Sequence, residues 1–74
     1  MEEIIKILEG YNEEIDFSTA TGIIDDDLID SIDVTSLITE LENTFNISIG
    51  MEDIIPDNFN TVDAIWKMIL RLQG

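Results

Sequence analysis

The chain contains no cysteine, which excludes disulfide staples and thiolate metal sites. It has no histidine either, so the usual general base and the commonest zinc ligand are both missing. Proline occurs once and glycine four times, too few to break the chain into many turns. Lys and Arg number three against seventeen Asp and Glu, a net charge of −14. Such a surface repels the phosphates of nucleic acid and of anionic lipid, and it steers in proteins that carry basic patches. No apolar run approaches the roughly 20 residues of a membrane span, and the opening MEEIIKILEG lacks the basic start and apolar centre of a signal peptide. The expectation is a cytoplasmic protein with no stable membrane insertion.

What is present argues for a fold. Apolar residues make up 45% of the chain, too large a share for acidic disorder. At 74 residues the reading is one small domain over 1–74, with a stability of about 4 to 11 kcal/mol at roughly 0.05 to 0.15 kcal/mol per residue. Ile4, Ile7 and Leu8 place a first helix over Glu2 to about Glu9. Residues 11–29 are rich in Asp, Ser, Thr and Asn, whose side chains compete with the helical backbone. This stretch reads as a long loop pinned by Ile15, Phe17, Ile23, Ile24 and Leu28. Val34, Leu37, Ile38, Leu41 and Phe45 recur at helical spacing and predict an amphipathic helix from Ser31 to Phe45, closed by Asn46 in a left-handed cap. A short helical turn is expected around Met51 to Ile55, stopped by Pro56. A last helix starts at Asn60 or Thr61 and runs to about Leu72. The predicted architecture is all-α: a small four-helix bundle of three main helices and one short one.

Two features invite chemistry and fail on inspection. Asp25, Asp26 and Asp27 suggest calcium, but an EF-hand counted from Asp25 needs Gly at position six and Glu at position twelve, where Asp30 and Ser36 stand. The turn reads as solvated carboxylates, and no metal site is expected. Trp66, Met68 and Leu70 read as packing of the last helix.

Asp30-Ser31-Ile32-Asp33 lies where the loop becomes the strongest helix. Position alone leaves two readings open. Asp30 or Ser31 is an N-cap, or Ser31 carries a covalent phosphodiester, favoured at a helix start by unpaired N–H groups and the dipole. A nucleophilic serine enzyme fails on inventory, because no histidine base and no G-x-S-x-G elbow exist.

Leu28-Ile29-Asp30-Ser31-Ile32, followed by Leu37, Leu41, Glu42, Phe45, Ile47 and Ile49, resembles the acyl carrier protein family, whose signature is Asp-Ser-Leu or Asp-Ser-Ile opening helix two. The resemblance implies that Ser31 receives 4'-phosphopantetheine, with Asp30 and Ile32 beside it, and that cargo rides as a thioester on the arm's thiol. It implies a carrier with no catalytic residues, a monomer that meets a phosphopantetheinyl transferase, an acyl- or aminoacyl-activating ligase and a downstream transferase. Helix two would be the docking surface, carried over here to Asp33 and Glu42, with Ser36 and Glu40 departing from the usual residue types. Ile29 before Asp30, the lack of Gly two residues before Ser31, and the run Ile55-Pro56-Asp57-Asn58-Phe59-Asn60-Thr61 look more like aminoacyl and D-alanyl carriers than fatty-acid carriers. The lean is therefore to a dedicated aminoacyl or specialised acyl pathway, and a fatty-acid carrier, or an acidic helical adaptor that binds a basic protein without any cofactor, is the alternative.

Overall fold

A computed structural model describes residues 2–74. Four helices follow one another: α1 (Glu2–Glu9), α2 (Ser31–Phe45), α3 (Pro56–Phe59) and α4 (Val62–Gln73), with a tight 3-10 turn at Met51–Asp53. Among the described residues there is no strand, and three main helices with one short one form the expected bundle. α1 packs against both α2 and α4, and α3 leans on α4.

At eight residues α1 is too short to stand alone, so its stability comes from burial of Ile4 and Leu8. α2 buries Leu37 and Leu41. From α4, Val62, Ile65, Met68 and Ile69 complete the same core. Trp66 is half-buried and meets Phe45 edge to face, ring centres 6.1 Å apart, while Leu70 stays largely exposed. No polar or charged residue is buried among the described residues, so the interior costs no unpaired desolvation.

The crossing over residues 10–30 is anchored by Phe17, Ile23 and Ile29, all buried. Ile15, Ile24 and Leu28, read from sequence as pins, are only half-buried. Asn12 Nδ2 donates to Leu28 O at 2.9 Å. Asn60 Oδ1 accepts from the N–H groups of Ile24 and Asp25, 3.0 Å each. Asp27 sits at φ 52, a left-handed position that the short side chain of Asp tolerates.

Two expectations are corrected around Pro56. The turn after α2 ends at Asp53, and Pro56 does not stop a helix but opens α3. A proline fits the first helical position because its missing N–H would have no intrahelical partner there and its φ is preset. The cap of α4 is Thr61, whose Oγ1 accepts from Ala64 N at 2.9 Å. Asn60 is left free for the crossing. Asn46 takes the left-handed cap at φ 54 as expected.

With so small a core, one cavity consumes much of the total stability. Leu41→Ala, at a fully buried site, should cost about 2 to 5 kcal/mol, read as a lower urea midpoint, while Leu70→Ala on the exposed face should cost well under that.

Candidate functional site

The site forms where the crossing enters α2. Ile29 is driven into the core, and one residue later Asp30 leaves it in extended backbone, φ −84 and ψ 173. Its Oδ1 accepts from Asp33 N at 2.9 Å and its carbonyl accepts from Val34 N at 2.9 Å. Asp30 is therefore the N-cap, which leaves Ser31 at the first helical position, exposed. The Ser31 carbonyl accepts from Thr35 Oγ1, and its hydroxyl makes no hydrogen bond among the described residues. The first amides of a helix have no intrahelical acceptor and sit at the positive end of the dipole. Asp33 N is taken by Asp30, which leaves the amides of Ser31 and Ile32 without an intrahelical acceptor beside the serine, so the residues present fit a phosphate-linked anion at this positive end.

Ile32 follows at 78% exposure, the most open apolar side chain of α2. Beyond it, Thr35, Ser36, Thr39 and Asn43 are exposed and uncharged along the outer face. The acidic residues lie on the flanks. Asp33 is half-buried and Glu40 exposed, and Glu40 Oε1 accepts from Tyr11 Oη at 2.8 Å. Glu42, half-buried on the other flank, accepts from Ile49 N at 2.9 Å and so ties the connector to α2. Of the four helix-two positions marked from sequence, Asp33, Ser36 and Glu40 thus share a side, and Glu42 is held by its own chain.

Residues 13–69 match the family described as "Phosphopantetheine attachment site". The chain belongs to this family. It is a carrier protein that bears a phosphopantetheine prosthetic group and presents cargo to enzymes without catalysing the chemistry itself. Among known proteins it is similar to the D-alanyl carrier protein of Streptococcus mutans, 31% identical over 73 residues, covering 97% of this chain and 92% of the relative. The D-alanyl carrier protein of Streptococcus pyogenes is 30% identical over the same span and shares. Membership in a carrier family implies meetings with a phosphopantetheinyl transferase and with ligases. Among the described residues, no helix is long and apolar enough to cross a membrane.

Sequence reasoning missed the contact of Tyr11 with Glu40 of α2 and the bonds of Asn60 to the crossing that leads into α2. No local pattern marks either one, because their partners lie 29 to 36 residues away. Burial, then the hydrogen bond and charge of Glu40, with the charge of Asp33 adding, push the Tyr11 phenol up to about 12. A folded pKa above the unfolded value near 10 means that the native state holds the extra proton between the two. The stability from this contact is whole below about pH 10 and is lost as pH rises to about 12. Tyr11 is the sole tyrosine, so phenolate absorbance reports it alone: the midpoint should lie near 12 and fall towards 10 in Glu40→Gln.

Proposed function

We propose that Ser31 is the attachment point and that the carrier holds a small aminoacyl cargo of the D-alanyl kind, residues 1–74 acting as one monomeric domain in the cytoplasm. The observation that carries the reading is the exposed, unbonded Ser31 hydroxyl at the first position of α2, with capping left to Asp30. When bound, the prosthetic group supplies a thiol that holds cargo as a thioester; the chain, lacking cysteine, has no thiol of its own to compete for it. In loading, Ser31 Oγ forms a bond to phosphorus as the bond to the nucleotide half of coenzyme A breaks, and the serine proton passes to a base on the transferase. The aminoacyl preference is supported by the D-alanyl carriers that this chain resembles along 97% of its length and by Ile29 ahead of Asp30. Partners are proposed to dock on α2 through Ile32 as an apolar anchor, with Asp33, Ser36 and Glu40 on one flank and Glu42 on the other, against basic patches.

Intact mass after incubation with a broad-specificity transferase and coenzyme A tests the attachment. The wild type should gain one phosphopantetheine and Ser31→Ala none, with little loss of stability because the cap is untouched. Asp30→Ala should instead cost about 0.5 to 2 kcal/mol. A Ser31→Ala chain that still gains the mass would assign the group elsewhere. Loading of the holo protein by a D-alanine ligase against a fatty-acyl ligase separates the two cargo classes.

Docking is read from kinetics. Asp33→Lys with Glu40→Lys should slow association with transferase and flatten its salt dependence, whereas Ile32→Ala should act mainly by faster dissociation. Unchanged association in the double variant would show that partners read another face.

A further inference from the structure

Asn60, between α3 and α4, is joined to the segment that leads into Ser31 by four hydrogen bonds. Its carbonyl accepts from Ile23 N at 3.0 Å. Its Oδ1 accepts from Ile24 N and Asp25 N, and its Nδ2 donates to Asp25 Oδ2 at 3.0 Å. The amide is well suited to this place: one end must accept from two N–H groups while the other donates to a carboxylate, a combination that asparagine supplies and aspartate does not. Three consecutive N–H groups of an irregular segment thereby find partners in a residue 35 or more positions away.

Beyond that clamp the path to the serine leaves little freedom. Asp26 N donates to Gly22 O, Asp27 N to Ile24 O and Leu28 N to Ile23 O, so the turn is closed in part on Ile23 and Ile24, which Asn60 holds. Ile29 then enters the core and Asp30 caps α2. The position of Ser31 is set by a chain whose far end is fixed on the α3–α4 junction.

We propose that Asn60 is a positioning residue for Ser31, holding the preceding turn so that the serine is presented in one geometry to the transferase and to the enzymes that later work on its arm. The proposal rests on Ser31 being the attachment point. Without the clamp, the core residues and the cap remain, but the turn over 23–28 samples other arrangements. If it presents Ser31 correctly about a tenth of the time, apparent loading efficiency drops about tenfold.

The test uses the full chain. In Asn60→Ala, amide exchange over residues 24–31 should speed up while α4 stays protected, and kcat/KM for loading by transferase and coenzyme A should fall about tenfold at a temperature where the variant is still folded. Ile65→Val, a core change that lowers stability without touching the turn, should load at the wild-type rate. Asn60→Asp retains the acceptor for both amides and guards against outright unfolding by the alanine variant, yet it sets two carboxylates face to face and should also load slowly. Combining Asn60→Asp with Asp25→Asn exchanges donor and acceptor across the same bond and should restore loading. Wild-type rates in Asn60→Ala, or slow loading in Asn60→Asp that the exchange does not rescue, would overturn the positioning role. A wild-type chain that takes no phosphopantetheine at all would instead overturn the assignment of Ser31, a result distinct from either.

Discussion

The burial of Ile29 immediately before the Asp30 cap is the contact on which the head of α2 depends. An apolar side chain sunk in the core fixes where the chain leaves it, and the cap fixes where the helix begins. Together with the turn that Asn60 holds, they set the register of the next residue, Ser31. Moving the helix start by one position would swing the hydroxyl about 100° around the axis at 3.6 residues per turn. The same anchoring lets an irregular crossing over residues 10–30 join two helices without a strand or a helix of its own. Phe17, Ile23 and Ile29 supply the burial that the crossing needs to offset the entropy of ordering it.

A shortage of cations shapes the rest. Only two ion pairs form among the described residues, Lys67 with Asp63 and Arg71 with Asp53, and both involve α4. Elsewhere carboxylates find neutral donors: Asp30 takes the Asp33 amide, Glu40 the Tyr11 phenol, Glu42 the Ile49 amide and Asp25 the Asn60 side chain. Hydrogen bonds to a charged acceptor are stronger than neutral ones, so a carboxylate can serve as a structural clip where no Lys or Arg is at hand. Acidic composition and a stable fold are therefore compatible here, because several of the negative charges are built into the fold as acceptors.

The helices were legible because their apolar residues repeat at helical spacing. Leu37 and Leu41 of α2, and Val62, Ile65 and Ile69 of α4, are buried as their periodicity predicts. The place of Ser31 at the head of α2 was legible too, from the onset of that spacing after a loop rich in Asp, Ser and Thr. Pro56 was misread because a proline marks a boundary without saying on which side of it the helix lies. Local sequence offered Asn60 and Thr61 equally as the cap of α4; Thr61 takes it, and the side-chain partners of Asn60, Ile24 and Asp25, are close only after folding. Glu42 shows the same limit. Helical spacing gives its place on the wheel but not the Ile49 amide that reaches back to it.

The outer face of α2 bears on how a carrier can be both recognised and released. Ile32 stands out at 78% exposure amid threonine, serine and asparagine, with the carboxylates moved to the flanks. A single apolar anchor of this size, fully buried in a partner, contributes about 1.5 to 3 kcal/mol, far from what a permanent complex requires. The flanking charges add mainly to the rate of encounter. On the proposed reading of this face, affinity stays low while association stays fast, so each enzyme in turn can take and release the protein. Tyr11 and Ile49 already satisfy two of the flanking carboxylates within the fold, which limits how much a partner gains by desolvating them. On that same proposed reading, specificity would rest on the place that differs most from a uniform acidic helix: the hydroxyl of Ser31, the methyl groups of Ile32, and the turn that holds them in register.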